Sequence, residues 1–358
     1  MNACHANSVK SLGHRGGTYL ETAPAEVLMK SIQIVAALVA IGLFATPAWA
    51  DFKQERTLKL EPGGTFTLES DIGEVVLTGE SASGARVLIT SDKDLDRDFD
   101  VSFDETPRGA TVKIKSRGSI RRLFGGWFEN DHTRITIQVP TKTDARLSTS
   151  GGSVRVSRLT GVVDIRSSGG SLDVDAVEGN VNGGTSGGSI RMRDVHGNVI
   201  ANTSGGSITM TNIRGTLRAD TSGGGISIVD VSGELRASTS GGSVDVRDAG
   251  GRVDASSSGG GVTVRFAPGN SSGGVVSSSG GSVRAEIDPG AKVSIDAHAS
   301  GGSVNSDVPV TIQGKVESDS LRGDMNGGGP LLRLRSSGGG VRISANAQGQ
   351  RSNGKGQR

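Results

Sequence analysis

The tripeptide Ser-Gly-Gly begins at Ser150, Ser168, Ser186, Ser204, Ser222, Ser240 and Ser258, seven times at a spacing of 18 residues. A fixed period of this length makes each repeat one supersecondary unit, too small to bury its own apolar face and therefore obliged to stack on its neighbours. Aligned on the serines, the repeats form columns. Four residues on stand Val154, Leu172, Ile190, Ile208, Ile226, Val244 and Val262; two further on stand Val156, Val174, Met192, Met210, Ile228, Val246 and Val264. Apolar residues at i and i+2 predict a strand with one buried face. A second strand is predicted in each repeat from Val163, Val181, Val199, Leu217, Leu235 and Val253, followed by small residues such as Ala201, Ala219, Ala237 and Ala255. Between the two strands every repeat carries a lone glycine (Gly161, Gly179, Gly197, Gly215, Gly233, Gly251, Gly269), which suggests a corner needing positive φ or close backbone approach.

Two short strands and two corners per 18 residues predict an all-β fold, a parallel β-solenoid (β-helix) whose equivalent positions stack about 4.8 Å apart. Its core would be two facing aliphatic stripes, consistent with Phe266 being the only aromatic after Ser148. After Ser258 the beat loosens: Ser279 and Ser300 lie 21 residues apart, and Ser337 follows at 37, room for two coils. A polar tail ends the chain. Upstream, alternating segments such as Thr65-Phe66-Thr67-Leu68 and Arg134-Ile135-Thr136-Ile137 lack the beat and read as an antiparallel N-terminal cap or small sandwich over the first coil.

Export is expected from Lys30, the apolar run Ile32 to Phe44, Pro47 and the small-residue site Ala48-Trp49-Ala50. The run is shorter than the roughly 20 residues of a membrane span, so no integral segment is expected after cleavage. The organisation is thus an upstream extension at 1–28, with translation expected to start at Met29; a signal peptide at 29–50; an N-terminal β region at 51–147; the solenoid at 148–345; and a disordered tail at 346–358. The mature chain contains 36 Lys and Arg (39 less Lys10, Arg15 and Lys30) and 35 Asp and Glu (37 less Glu21 and Glu26). So balanced a charge implies no strong electrostatic partner. Cys4 lies in the upstream extension, which leaves the mature chain without a disulfide or thiolate metal site.

The strand Ile135-Thr136-Ile137-Gln138-Val139-Pro140 leading into Ser-Gly-Gly-Ser-Val coils, with the closing Asn326-Gly327-Gly328-Gly329-Pro330, resembles the bacterial putative adhesin family of exported domains of unknown function. The resemblance covers most of the mature chain. It implies an exported β-helical protein and brings no agreed catalytic residues, and fold alone does not confer a function.

Among the residues themselves, the strongest enzyme-like constellation is Asp194, Asn212, Asp230 and Asp248 with His196 and Arg214 near one corner. Carboxylates on adjacent coils activate water in pectin-degrading β-helices, so Asp230, Asp248 and His196 make a carbohydrate-active enzyme one alternative. The bland reading is turn chemistry: each Asp or Asn precedes a glycine by three residues, the pattern of a type I turn. Calcium-binding β-rolls share the coil length, but no Asp recurs at their ligand position, and His132, His196 and His298 lack zinc spacing; neither metal nor cofactor is expected. The Thr column (Thr185, Thr203, Thr221, Thr239) resembles an ice-binding ladder, yet shares strand parity with buried residues and is expected to bond the backbone instead. No basic, aromatic-interleaved stripe points to nucleic acid. Arg322-Gly323-Asp324 reads as a surface turn.

The candidate binding loop is Arg121, Arg122, Leu123, Phe124, Trp127 and Phe128, which concentrates three of the mature chain's eight aromatics beside two arginines. An exposed patch of this composition suits a partner or membrane-interface contact; alternatively its aromatics plug the open first coil. The sequence therefore predicts a non-enzymatic, adhesin-like binding or structural module of the cell envelope, surface-displayed, secreted or periplasmic. Its partner is an unspecified protein or glycan, and a periplasmic scaffold or regulator is the further alternative.

Overall fold

The structure, a computed structural model, describes residues 52–81, 83–92, 94–117, 132–313 and 317–346. The signal peptide, the upstream extension, the candidate binding loop and the tail beyond residue 346 lie outside the described residues. Asn346, assigned to the tail from sequence, is buried, and its amide donates to Phe266 O at 2.8 Å.

Two sheets, of 14 and 15 described strands, run the length of the stack. Each regular coil contributes one strand to each. Ile190–His196 pairs in parallel with Leu172–Glu178 on one side and Ile208–Ile213 on the other, and Val199–Thr203 pairs likewise with Val181–Thr185 and Leu217–Thr221. Partners are 18 residues apart in every case, so the solenoid predicted from the beat is the observed architecture. The two apolar columns of the first strand and those of the second face each other across a thin core. Side-chain size is complementary across it: a Cβ on Gly183 would lie 2.7 Å from Met192 Cε, so the long inward side chain of Met192 in the next coil occupies the space that Gly183 leaves.

The sequence reading missed a third buried column: Leu159, Val177, Val195, Ile213, Val231 and Ala249. These residues follow a break in strand parity. In Ile190–His196 both Arg193 and Asp194 face outward before Val195 turns in, because Asp194 has φ +52° and drops out of the pairing register. The same left-handed residue recurs at Arg158, Ala176, Asn212, Asp230 and Asp248. One such residue per coil acts as a stacked bulge that bends the strand and is itself left out of the ladder, so identical bends nest in register from coil to coil.

In the coils up to Gly205 the two glycines of each pair divide by sterics, and further on the first glycine tightens as well, to 3.0 Å at Gly241. A Cβ on Gly206, second glycine of its pair, would fall 2.0 Å from Gly188 O in the coil below, whereas one on Gly205 would meet nothing nearer than 3.5 Å. The corner column is equally tight: Gly197 approaches Gly179 O to 2.2 Å at the Cβ position. Close approach between coils is what these glycines serve.

Both ends depart from chain order. Thr65–Ser70 and Glu74–Glu80 form a coil that stacks in parallel against Asp144–Thr149 and Val154–Thr160 on its inner side. On its outer side lie Gly109–Ser116 and Arg134–Pro140, also parallel. Antiparallel pairing is confined to the outermost strands: Phe99–Thr106 on Gly109–Ser116, and Ala85–Ser91 and then Phe52–Leu58 beyond Arg134–Pro140. The N-terminal region thus extends both sheets in parallel before antiparallel strands close them. Its beat is absent because the chain steps outward by one coil and then returns inside. At the other end, Leu331–Ser336 and Val341–Ala345 insert between the coil Gly274–Ser278/Val283–Ile287 and the coil Val293–Ala299/Val304–Ser306. The 37-residue gap, with room for two coils, instead holds an antiparallel arm, Ser320–Met325 on Val293–Ala299 with Thr311–Ile312 beyond it.

Candidate functional site

The hydroxyl ladder points inward. Thr185 Oγ1 donates to Gly170 O, Thr203 to Gly188 O and Thr221 to Gly206 O, each at 2.8 Å, and all three threonines are buried. These hydroxyls satisfy the carbonyls of the tight glycine corners. They present no flat outward array, and the backbone role expected from their parity is the one observed.

The carboxylate column sits at the stacked bulge. Asp194, Asn212, Asp230 and Asp248 have φ of 52° to 60°, a region that Asp and Asn tolerate better than other residues with side chains. The expected type I turn is therefore replaced by a left-handed bulge; the residue preference is similar because both geometries reward a short polar side chain. The side chains are committed to neighbours. Arg214 grips Asp230 in a two-pronged pair at 2.8 and 2.7 Å, and this bond raises the guanidinium's already high pKa. Arg265 holds Asp248 at 3.2 and 2.8 Å, and Asn212 donates to Asp194 at 2.5 Å. No hydrogen bond joins His196 to either carboxylate. A general acid and a base need opposed protonation states and access to a shared substrate. Here two of the carboxylates are each paired with a partially exposed arginine.

Elsewhere the outward faces carry mixed charge. Cross-coil pairs such as Arg193–Asp175 (3.2 Å) and Arg155–Asp173 (3.8 Å) are exposed and contribute about 0–1 kcal/mol each. The densest cluster lies at the C-terminal arm, where Asp296 is approached by Arg335 at 2.6 Å, Arg322 at 3.4 Å and Arg333 at 3.5 Å. Burial on its own would raise the Asp296 pKa, but the bond and charge of Arg335, with the charge of Arg322, hold it below the ordinary value. The tripeptide Arg322-Gly323-Asp324 is not a surface turn. It lies within the strand Ser320–Met325, with Gly323 buried and Asp324 accepting from Ser294 Oγ at 2.6 Å, because this strand pairs on both sides.

The loop containing Arg121, Arg122, Leu123, Phe124, Trp127 and Phe128 falls outside the described residues. Its flanks are placed: Gly109–Ser116 and Arg134–Pro140 belong to the outer N-terminal coil, one in each sheet. Arg117 donates to Asp100 at 2.6 Å, and His132 contacts Asp92 at 3.2 Å. Among the described residues, no three His, Cys, Asp or Glu side chains gather as metal ligands, and no helix is long and apolar enough to cross a membrane.

Fold and surface together define a capped parallel β-solenoid in which the buried hydroxyls and the corner carboxylates are used in its own stacking. The chain belongs to the Toastrack DUF4097 family, a domain of unknown function, which matches residues 66–344. No curated protein matches it. Similar solved structures include a putative lipid binding protein of Parabacteroides distasonis ATCC 8503, 14% identical, covering 82% of this chain and 97% of that one, with a TM-score of 0.40. A putative adhesin of Bacteroides fragilis NCTC 9343 is 14% identical over 83% and 99%, with a TM-score of 0.35. A putative cell adhesion protein of Clostridium sporogenes ATCC 15579 is 11% identical over 82% and 100%, at 0.25.

Proposed function

We propose that this chain is an exported, non-enzymatic, adhesin-like binding or structural module of the bacterial cell envelope. The observation that carries the reading is the engagement of the corner carboxylates: Asp230 and Asp248, the best catalytic candidates, are paired with Arg214 and Arg265 and stand at positions set by a backbone demand for positive φ. What remains is two long outward faces of mixed polarity, suited to contact with an extended partner. Export is supported by the signal pattern at Met29 to Ala50. The Arg121, Arg122, Leu123, Phe124, Trp127 and Phe128 segment is proposed as a second contact on its composition, three aromatics beside two arginines in the connection between the two strands of the outer N-terminal coil.

Cell fractionation followed by protease treatment of intact cells tests the reading. Surface or medium location, with the solenoid cleaved or shed from intact cells, is the expected result for an adhesin-like module. Protection until the outer envelope is opened would overturn adhesion and leave a periplasmic scaffold. Cytoplasmic retention of an unprocessed chain would overturn export. Turnover of a polysaccharide that disappears in Asp230→Ala with the fold intact would overturn the non-enzymatic reading.

A further inference from the structure

The second sheet carries a notch at one coil. Its outward column reads Arg166, Gly184, Asn202, Asp220, adjacent in register across four coils. Gly184 has no steric reason to be glycine. A Cβ there would meet nothing closer than Asn202 O at 4.0 Å, and its φ is not left-handed. Glycine in a strand interior weakens the strand and often marks close approach of a ligand. Gly184 lies in a shallow, open depression of about 530 Å³ that spans four coils and is lined also by Arg166, Asn202 and Asp220, with Ser186 and Ser204 along one edge.

The walls are chemically unspent. Among the described residues no acceptor pairs with the Arg166 guanidinium, and the Asn202 amide makes no side-chain hydrogen bond; both residues are exposed. Asp220 is held by Arg218 through Oδ2 at 2.7 Å, leaving Oδ1 free to accept. A planar fork, an amide with both donor and acceptor, a carboxylate oxygen and hydroxyls thus line one groove across the strands.

Resting on the envelope-binding reading above, we propose that this notch is a subsite for a carboxylated oligosaccharide running along the stack axis. Arg166 takes the sugar carboxylate as a bidentate ion pair, and Asn202 with Asp220 takes ring hydroxyls one and two coils beyond the notch. The coil spacing of about 4.8 Å suits one pyranose unit per coil. Asp220 in the groove disfavours a dense polyanion. A peptide is disfavoured too, since the backbone groups here are already spent in parallel pairing and no apolar hole offers an anchor.

The test applies the mature chain to an array of uronate-containing, sialate-containing and uncharged oligosaccharides, alongside Gly184→Val and Arg166→Ala. Valine fills the notch while favouring the strand, so its fold, read by circular dichroism and melting, stays at least as stable as wild type. Retention on at least one carboxylated class, reduced about tenfold or more in both variants, is expected. Absence of any carboxylated ligand, equal retention of uncharged sugars, or binding indifferent to both variants would overturn the proposal. Such a failure with surface location intact removes only this site, whereas cytoplasmic retention removes the reading beneath it.

Discussion

Replacing Gly206 by alanine places a Cβ 2.0 Å from Gly188 O, 2.4 Å from Gly188 C and 2.6 Å from Ser189 N, all backbone of the coil below. None of these atoms can swing aside. Restoring ordinary contact near 3.4 Å requires the two coils to part by more than an ångström at that corner. The parting strains the bonds from Thr221 Oγ1 to Gly206 O (2.8 Å) and from Gly206 N to Thr203 Oγ1 (3.3 Å). Overpacking of about 1–3 kcal/mol, added to one or two weakened buried hydrogen bonds at about 1 kcal/mol each, predicts a destabilisation of about 2–5 kcal/mol. Gly205→Ala is the control. One residue earlier, its Cβ has 3.5 Å of clearance and no left-handed φ, so its effect is between about zero and a gain of 0.5 kcal/mol. Urea unfolding of both variants, followed by circular dichroism, separates them. Equal loss in the two, or a loss below about 1 kcal/mol for Gly206→Ala, would refute the claim that coil-to-coil contact selects the second glycine.

Other perturbations follow from the same geometry. Ala176, at φ +54°, pays for a conformation that Asn tolerates, so Ala176→Asn is expected to raise stability by about 0.5–1 kcal/mol in thermal melts. Thr203→Val leaves the Gly188 carbonyl without its hydroxyl donor and is expected to cost about 1–3 kcal/mol, with serine restoring most of it. The lowered pKa of Asp296 means that its carboxylate stabilises the fold above the ordinary unfolded value near 4 and loses that contribution as pH falls through the folded value. Asp296→Asn should therefore be less stable than wild type at neutral pH, with the gap closing in acid; a gap constant with pH would count against the ion cluster.

Much of the architecture is legible in one strand of argument. The beat sets the coil length, the apolar columns at i and i+2 set the inward faces, and the parity of Thr185 and its equivalents places their hydroxyls inside. The bulge was misread because Asp three residues before Gly satisfies two local geometries, and only the pairing register, which skips Asp194, distinguishes them. The third buried column was missed for the same reason, since it appears only once strand parity has been broken by that residue.

The groove at Gly184 was invisible in the sequence. In a chain with 57 glycines, one more carries no signal until its neighbours 18 residues away are known and its unused space is measured. The ends were hidden in the same way. An alternating strand buries the same residues whether its partner is parallel or antiparallel, sequential or distant, so nothing in Leu331–Ser336 says that it inserts between Gly274–Ser278 and Val293–Ala299. Periodicity alone determined what repeats: coil length, inward faces and the need for glycine at the corners, because these follow from contacts between equivalent residues. Tertiary structure decided what does not repeat, namely which strand closes each end and where the surface opens, because these depend on contacts between residues that no period relates.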